Sequence, residues 1–292
     1  VLLLWHLVLR IQGEAQWAAA ALAALLFAVH PVASEPVNYV SSRSESLAAV
    51  FLLAALCFTL GREPRQIRSL GSFCASLLSK ATGAALPFLL VCWPQSSHAV
   101  RLRRILPYLL VLACYVSILT FSGLMPASRP EPVRDLWTQL ATQGKAVSFY
   151  LHLLTMPVHQ SVDPAFHEGA WSQAAVWAAL VLAMSMMALV LRGCSGRLRW
   201  WLLWPFWVAL PASAVPLNVL VNEHRIYLAS AGLFVALAIL LIRQRRLQRP
   251  ILLLVVCLLV LTVQRNQVWA TELSLWSDAV KLAPVSSRGR VH

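Results

Sequence analysis

Charge is scarce in this sequence. Of 292 residues only 12% are Asp, Glu, Lys or Arg, about half the roughly 25% of an ordinary globular domain. Acids are scarcest, at 11 against 24 Lys and Arg, for a formal net charge of +13. Hydrophobic residues make up 59% and come in blocks, not at scattered amphipathic positions. A soluble enzyme, a disordered chain and a fibrous repeat are excluded, and a polytopic helical membrane protein is expected. The positive excess is then topological, and no nucleic-acid partner is expected. No C-x-x-C pair occurs. Cys57, Cys74, Cys92, Cys114 and Cys257 lie in apolar blocks and Cys194 in a short basic loop. All six read as apolar filler, with no disulfide and no Cys-ligated metal expected. The histidines His30, His152, His159, His167 and His224 lack i, i+4 ligand spacing, so no metal site is expected. Gly-rich phosphate loops and nucleophile elbows are missing too, so any sugar or phosphate donor must arrive as a lipid.

What is present is a series of apolar blocks, at 1–9, 15–29, 46–60, 70–79, 81–93, 105–121, 173–191, 200–217, 227–242 and 250–264. Ala and Leu dominate and nothing alternates with period two, so these are helices, about 9–10 of them. Several fall short of the ~20 residues of an average span and must borrow flanking polar turns. The chain starts at Val1 inside an apolar run and ends at His292 without a stop in the pattern, and is read as a fragment or as truncated at both ends.

Basic residues set the orientation. Arg10, Arg62, Arg65, Arg68, Arg101, Arg103, Arg104, Arg192, Arg197, Arg199, Arg243, Arg245, Arg246 and Arg249 share one side with only Glu14 and Glu63. The positive-inside rule makes that side cytoplasmic. It requires 70–93 to enter and leave on the same side, as two short or re-entrant helices meeting at Ser79-Lys80. A lysine at a hairpin tip costs far less than one at mid-membrane. The outer face then receives the mixed polar chemistry: 30–45, the Ser79-Lys80 tip, 122–172, 218–226 and the tail from 265. The transmembrane domain is expected over 1–264.

Within those segments Arg43 and Glu45 open a helix. A carboxylate there suits the helix dipole and can be a simple capping group. A cation opposes the dipole, which suggests a carboxylate partner or a bound anion. Residues 136–157 read as an amphipathic helix in the interface, with Leu136, Leu140, Val147, Leu151 and Leu154 sharing a face and Trp137 and Tyr150 at headgroup level. Asp163 is a lone acid after it. Asn222, Glu223, His224 and Arg225 place an acid, an imidazole and a guanidinium consecutively at a membrane boundary. They read either as an internal ion pair or as a phosphate clamp.

These residues also carry a resemblance. The run LLFAVHPVASEPVNYVSSRSESLAAVFLLAA resembles the first-loop signature of the transmembrane and tetratricopeptide-repeat (TMTC-like) protein O-mannosyltransferase family. His30, Pro31, Glu35, Val37, Arg43 and Glu45 match it, with Ser42 and Ser44 in place of small residues. Ser79-Lys80 resembles the family's S-K-E tip, with Ala81 in place of the acid. Leu153 to Pro157 followed by Ser161, Val162 and Asp163 is similar to its L-L-x-P-x-x-L-S-x-D pattern, with Gln160 in place of Leu. Glu223 to Leu228 is similar to its E-R-x-L-Y-x-P stretch, with Ala229 in place of Pro. Arg265 to Trp269 and Leu273 to Trp276 resemble the entry to the repeats. Trp276, Ala279 and Pro284 have the spacing of a half repeat of the ~34-residue tetratricopeptide type, so 265–292 is read as the start of an extracytoplasmic repeat region that engages the acceptor protein.

The resemblance implies a GT-C-like membrane glycosyltransferase. It would move a sugar, typically mannose, from a polyprenyl-phosphate donor to protein Ser or Thr hydroxyls on the extracytoplasmic side. A carboxylate would act as general base, which makes Glu35, Glu45, Asp163 and Glu223 the candidates. Cations would steady the departing lipid phosphate, here Arg43, Lys80 and Arg225. His30 and His224 lie on the same outer face. In such enzymes the key Asp follows the first helix and would precede Val1. A bacterial inner membrane is expected from the short loops, the Glu-His-Arg form and the lack of outer-face cysteine pairs. Two other classes stay open: a non-catalytic membrane anchor for a repeat scaffold, and a secondary transporter, which lacks support from inverted repeats or facing mid-membrane carboxylates.

Overall fold

A computed structural model describes residues 1–61, 64–94, 98–122, 134–194, 196–214 and 219–283. The described residues form helices and turns with no strand. In order they are α1 (Leu2–Gln12), α2 (Trp17–Val29), α3 (Ser34–Asn38), α4 (Arg43–Thr59), α5 (Gln66–Ser79), α6 (Ala85–Val91), α7 (His98–Phe121), α8 (Leu136–Thr155), α9 (Ala174–Gly193), α10 (Gly196–Ala214), α11 (His224–Ile242), α12 (Gln248–Val268) and α13 (Glu272–Leu282). Every apolar block lies largely in helix, and most helices extend past their block into polar flanks. Arg43 and Glu45 thus sit in the first turn of α4, and Arg265 in the last turn of α12.

Among the described residues five helices are long and apolar enough to cross a bilayer: Val40–Thr59, Arg101–Phe121, Ala174–Gly193, His224–Ile242 and Gln248–Val268. A sixth candidate is bent by 61° between Glu14–Val29 and Pro31–Asn38. The bend corrects the expectation of a loop at 30–45. Pro31 and Pro36 each lack an amide donor, so they fit the first turns of short new helices and not the interior of a long one. The chain therefore continues as a 3-10 turn at Pro31–Ala33, the short α3, and a second 3-10 turn at Val40–Ser42. Residues 30–36 are buried, not splayed into solvent.

The segment around Lys80 breaks as the charge argument requires. Ser69, early in α5, donates to the Ala55 carbonyl near the end of α4, and Ser76 donates to the Ala48 carbonyl near its start. Lys80 reaches Glu45 in the first turn of α4. After a 3-10 turn at Ala81–Ala84 the chain turns into α6, where the Leu89 carbonyl accepts from Trp200 in the first half of α10. Tyr108 of α7 then bonds Thr59 and Ser69 at 2.7 Å each. The hairpin thus begins and finishes toward the same end of the bundle.

The core lies between α2, α4, α10 and α11. Trp200, Trp201 and Trp204 pack edge-on or tilted with centroids 4.7 to 5.4 Å apart. Two of the three indoles are satisfied by carbonyls, Trp200 by Leu89 and Trp204 by Leu228 at 2.8 Å each. They fit because Gly232 faces them: a Cβ there would lie 2.5 Å from Cβ and Cγ of Trp204 and 2.6 Å from the Trp201 carbonyl oxygen. α7, α9 and α12 expose most of their surface. Leu110, Val181, Met184, Leu252 and Leu253 are uncovered by protein, as lipid-facing residues are.

α8 adopts the expected span, but its packed face is the small and polar one. Over its first two thirds Gln139, Ala141, Thr142, Gly144 and Ala146 are buried, while Leu136, Trp137 and Leu140 are exposed; toward its end Leu153 joins the core. Leucines turned outward from the protein suit a helix whose apolar face is covered by lipid. Pro284 of the half-repeat pattern lies outside the described residues, as do Arg62, Glu63 and 123–133. Ala279 is buried, and α13 is capped by a reciprocal Thr271 and Ser274 pair.

Candidate functional site

The polar residues gather at the end of the bundle where α2 and α12 finish and α4 and α11 begin. Glu35 of α3 is buried and holds α11 at two points. Its Oε2 accepts the His224 backbone N–H at 3.0 Å, and its Oε1 lies 2.7 Å from His224 Nδ1. Glu35 therefore acts as the N-terminal carboxylate of a helix separated from it by 189 residues. The contact fixes the imidazole with its Nδ1 proton toward the carboxylate. Ser42 Oγ flanks the same nitrogen at 3.1 Å. The remaining ring nitrogen, Nε2, is then the one able to accept a proton.

One turn along α4, the buried Glu45 carboxylate accepts from Lys80 Nζ at 2.9 Å and from Thr82 Oγ1 at 2.7 Å. No side-chain cap closes α4, so Glu45 is a cation holder and not the simple capping carboxylate that its position allowed. Lys80 stays about one-third exposed. Arg43 is exposed, and its hydrogen bond from Nε to the Val37 carbonyl is long, at 3.4 Å. Ser42, Arg43 and Glu45 occupy one helical turn, about 5.4 Å of rise. The carboxylate-held imidazole and these two cations therefore border the same turn.

Arg225 is turned back onto its own loop. Its Nη1 and Nη2 donate to the carbonyls of Leu220 and Val219 at 3.0 and 2.9 Å, and Tyr150 lies against it from α8. It orders 219–225 more directly than it offers charge to a ligand. His30 is also structural. Its Nδ1 accepts from the Val32 amide and its Nε2 lies 3.2 Å from the Leu154 carbonyl, which joins the bend of α2 to the end of α8. Asp163 is half-buried beside Ser161, whose Oγ accepts the Asp163 backbone amide at 3.2 Å.

Glu223 is fully enclosed. The Arg265 guanidinium approaches it at 3.6 Å while also bonding Asp278 of α13 at 3.2 Å, and neither Glu223 oxygen has a well-formed hydrogen bond. Burial pushes its carboxyl up to about 8, against the Arg265 charge and the Ser161 amide, which hold it down. Its unfolded value is 4.5. The fold therefore keeps a proton that the unfolded chain gives up, so this contribution to stability is complete below about pH 4.5 and is lost as pH rises through 8. Glu223→Gln keeps the shape and removes the titration. Thermal unfolding of the purified protein in detergent, from about pH 5 to about pH 9, should fall less steeply for the variant than for the parent. Parallel curves would assign the pH dependence to other groups.

The structure thus brings Glu35, Glu45, Glu223, Arg43, Lys80, His30 and His224 to one end, with Arg225 and Asp163 at its margin. Sequence reading missed Ser42, Thr82, Tyr150 and Arg265 as members. Arg265 carried a usable signal, because a cation in the last turn of an apolar span demands a partner. Among the described residues no group of three or more His, Cys, Asp or Glu is placed to hold a metal ion.

No protein-family model matches the chain, and no solved structure matches it. A curated relative does. The chain is 23% identical over 284 residues to "Protein O-mannosyl-transferase F38B6.6" of Caenorhabditis elegans, covering 91% of this chain and 41% of that protein. The chain therefore spans about two fifths of the relative's length. On its helices and this likeness, the chain is an integral, multi-pass, all-α membrane protein with distant similarity to a protein O-mannosyl-transferase.

Proposed function

We propose that the chain is the membrane part of a glycosyltransferase that moves a sugar, mannose in the first instance, from a polyprenyl-phosphate donor to Ser or Thr hydroxyls at the extracytoplasmic face. The observation that supports this best is the first turn of α4, with the Glu35–His224 pair on one side and Lys80 on Glu45 on the other. The acceptor hydroxyl gives its proton to His224 Nε2, which Glu35 orients and whose positive charge it then balances. The hydroxyl oxygen attacks the anomeric carbon, the bond from that carbon to the phosphate oxygen breaks, and the electron pair leaves with the lipid phosphate. Lys80 and Arg43 take up the charge that develops there. On this reading Glu35 and Glu45 hold His224 and Lys80, and Arg225 is a positioning residue. Glu223 keeps its proton at neutral pH and is set aside as the base. Asp163, the most open of the four acids, is the alternative base.

The test uses membranes containing the full-length protein, radiolabelled polyprenyl-phosphate mannose and a Ser/Thr-rich peptide. Transfer should fall at least about a hundredfold in His224→Ala and little in Asp163→Ala. The reverse order would hand the base to Asp163. No transfer from folded protein with mannose or other polyprenyl-phosphate sugars would leave a second reading, a non-catalytic anchor for a repeat scaffold. That reading draws on the Arg265–Asp278 contact joining the bundle to α13.

A further inference from the structure

At the opposite, arginine-rich end lies a cavity of about 480 Å³ that the proposed reaction does not use, a volume in the usual range for small-ligand sites. His6, Leu9 and Arg10 of α1, Gly13 and Glu14 of the following turn, Phe58 of α4 and Arg65 before α5 line it. Its shape depends on two glycines. Gly13 has φ +95, a conformation that suits glycine, and makes the tight reversal from α1 toward α2. Gly61 lies so close to Arg10 that a Cβ there would be 2.5 Å from Nη1. Arg10 is pre-set by two hydrogen bonds, from Nε to His6 Nε2 at 2.8 Å and from Nη1 to the Cys57 carbonyl at 2.7 Å. The Arg65 amide donates to the Phe58 carbonyl at 2.9 Å, which holds a second arginine at the same cavity.

We propose that this cavity binds the headgroup of a phosphodiester lipid that carries a primary amine. Arg65 and the remaining N–H groups of Arg10, chiefly on Nη2, suit the phosphate, since guanidinium N–H groups match its oxygens. A carboxylate in the same cavity opposes a purely anionic ligand, and Glu14 is satisfied by a group that brings both positive charge and N–H donors. A primary ammonium a few bonds from the phosphate does both, whereas a quaternary ammonium has no N–H to donate. Leu9 and Phe58 supply the apolar wall along which the first acyl methylenes run. The site lies where the arginine-rich turns of α1, α4 and α5 meet the membrane boundary, which places it at headgroup depth.

Native mass spectrometry of the intact chain in detergent tests this with short-chain phosphatidylethanolamine, phosphatidylcholine and phosphatidylglycerol, and with inorganic phosphate as competitor. One phosphatidylethanolamine should bind preferentially. Arg65→Gln, an exposed change that leaves the backbone contact in place, should weaken it about tenfold, as loss of a charged hydrogen-bond partner does. Glu14→Gln should shift the preference toward phosphatidylglycerol. Equal binding of all three lipids, or retention that ignores both variants, overturns the proposal. Displacement by inorganic phosphate at equal concentration overturns the lipid assignment in favour of a free phosphate.

Discussion

Lys80→Met should lower sugar transfer by about 10²- to 10³-fold, the usual effect of losing one charged group that stabilises a departing anion. Lys80 is held at one end by the buried Glu45 carboxylate, which Thr82 also bonds, while part of the lysine side chain remains accessible. The single variant also strands a buried carboxylate, which lowers stability on its own account. Lys80→Met combined with Glu45→Gln removes both charges and leaves Thr82 to satisfy the amide. The double variant should recover most of the thermal stability and none of the transfer. Transfer within about threefold of the parent in either protein would remove Lys80 from the phosphate site.

Gly232→Leu should be the most destabilising substitution in the core. The nearest atoms to its new Cβ belong to the Trp201 backbone and the root of the Trp204 side chain. Neither can rotate aside, so α10 and α11 must part. Overpacking typically costs about 1–3 kcal/mol, and here the separation also loosens the three-tryptophan cluster and the Trp204 to Leu228 bond. Gly71 is the control. It sits inside α5 with nothing within 4 Å of a built Cβ, so Gly71→Ala should gain about 0.5–1 kcal/mol from helix propensity alone. Thermal unfolding in detergent measures both, and equal midpoints for the two variants would show that the contact at Gly232 is not limiting.

The helices, the break at Lys80 and the clustering of Arg43, Glu45 and Lys80 at one end were legible because they rest on local signals. Runs of Ala and Leu, arginines between them, and a lone lysine in an apolar stretch each report their own position. The pairings were not legible. Glu35 and His224 are joined only by tertiary packing, and one sequence holds no signal for a contact across that separation. The helical turns at 30–45 were hidden because a polar stretch with two prolines reads as a loop, yet proline is at home in a first helical turn. The resemblance named these segments, but it could not say which side chains hold others and which remain available. Arg225 fits a phosphate clamp by spacing and instead binds two carbonyls of its own loop.

Arg265 is one guanidinium placed between the Asp278 carboxylate on α13 and the carboxyl group of Glu223 beside His224. That placement makes the two ends reciprocal. Whatever draws Asp278 away leaves Arg265 wholly to Glu223 and favours its ionised form. Whatever ionises Glu223 competes for the hold on α13 to the same degree in free energy. The junction between the bundle and α13 thus turns on a single shared charge, and any ligand or partner that engages one acid should shift the proton affinity of the other.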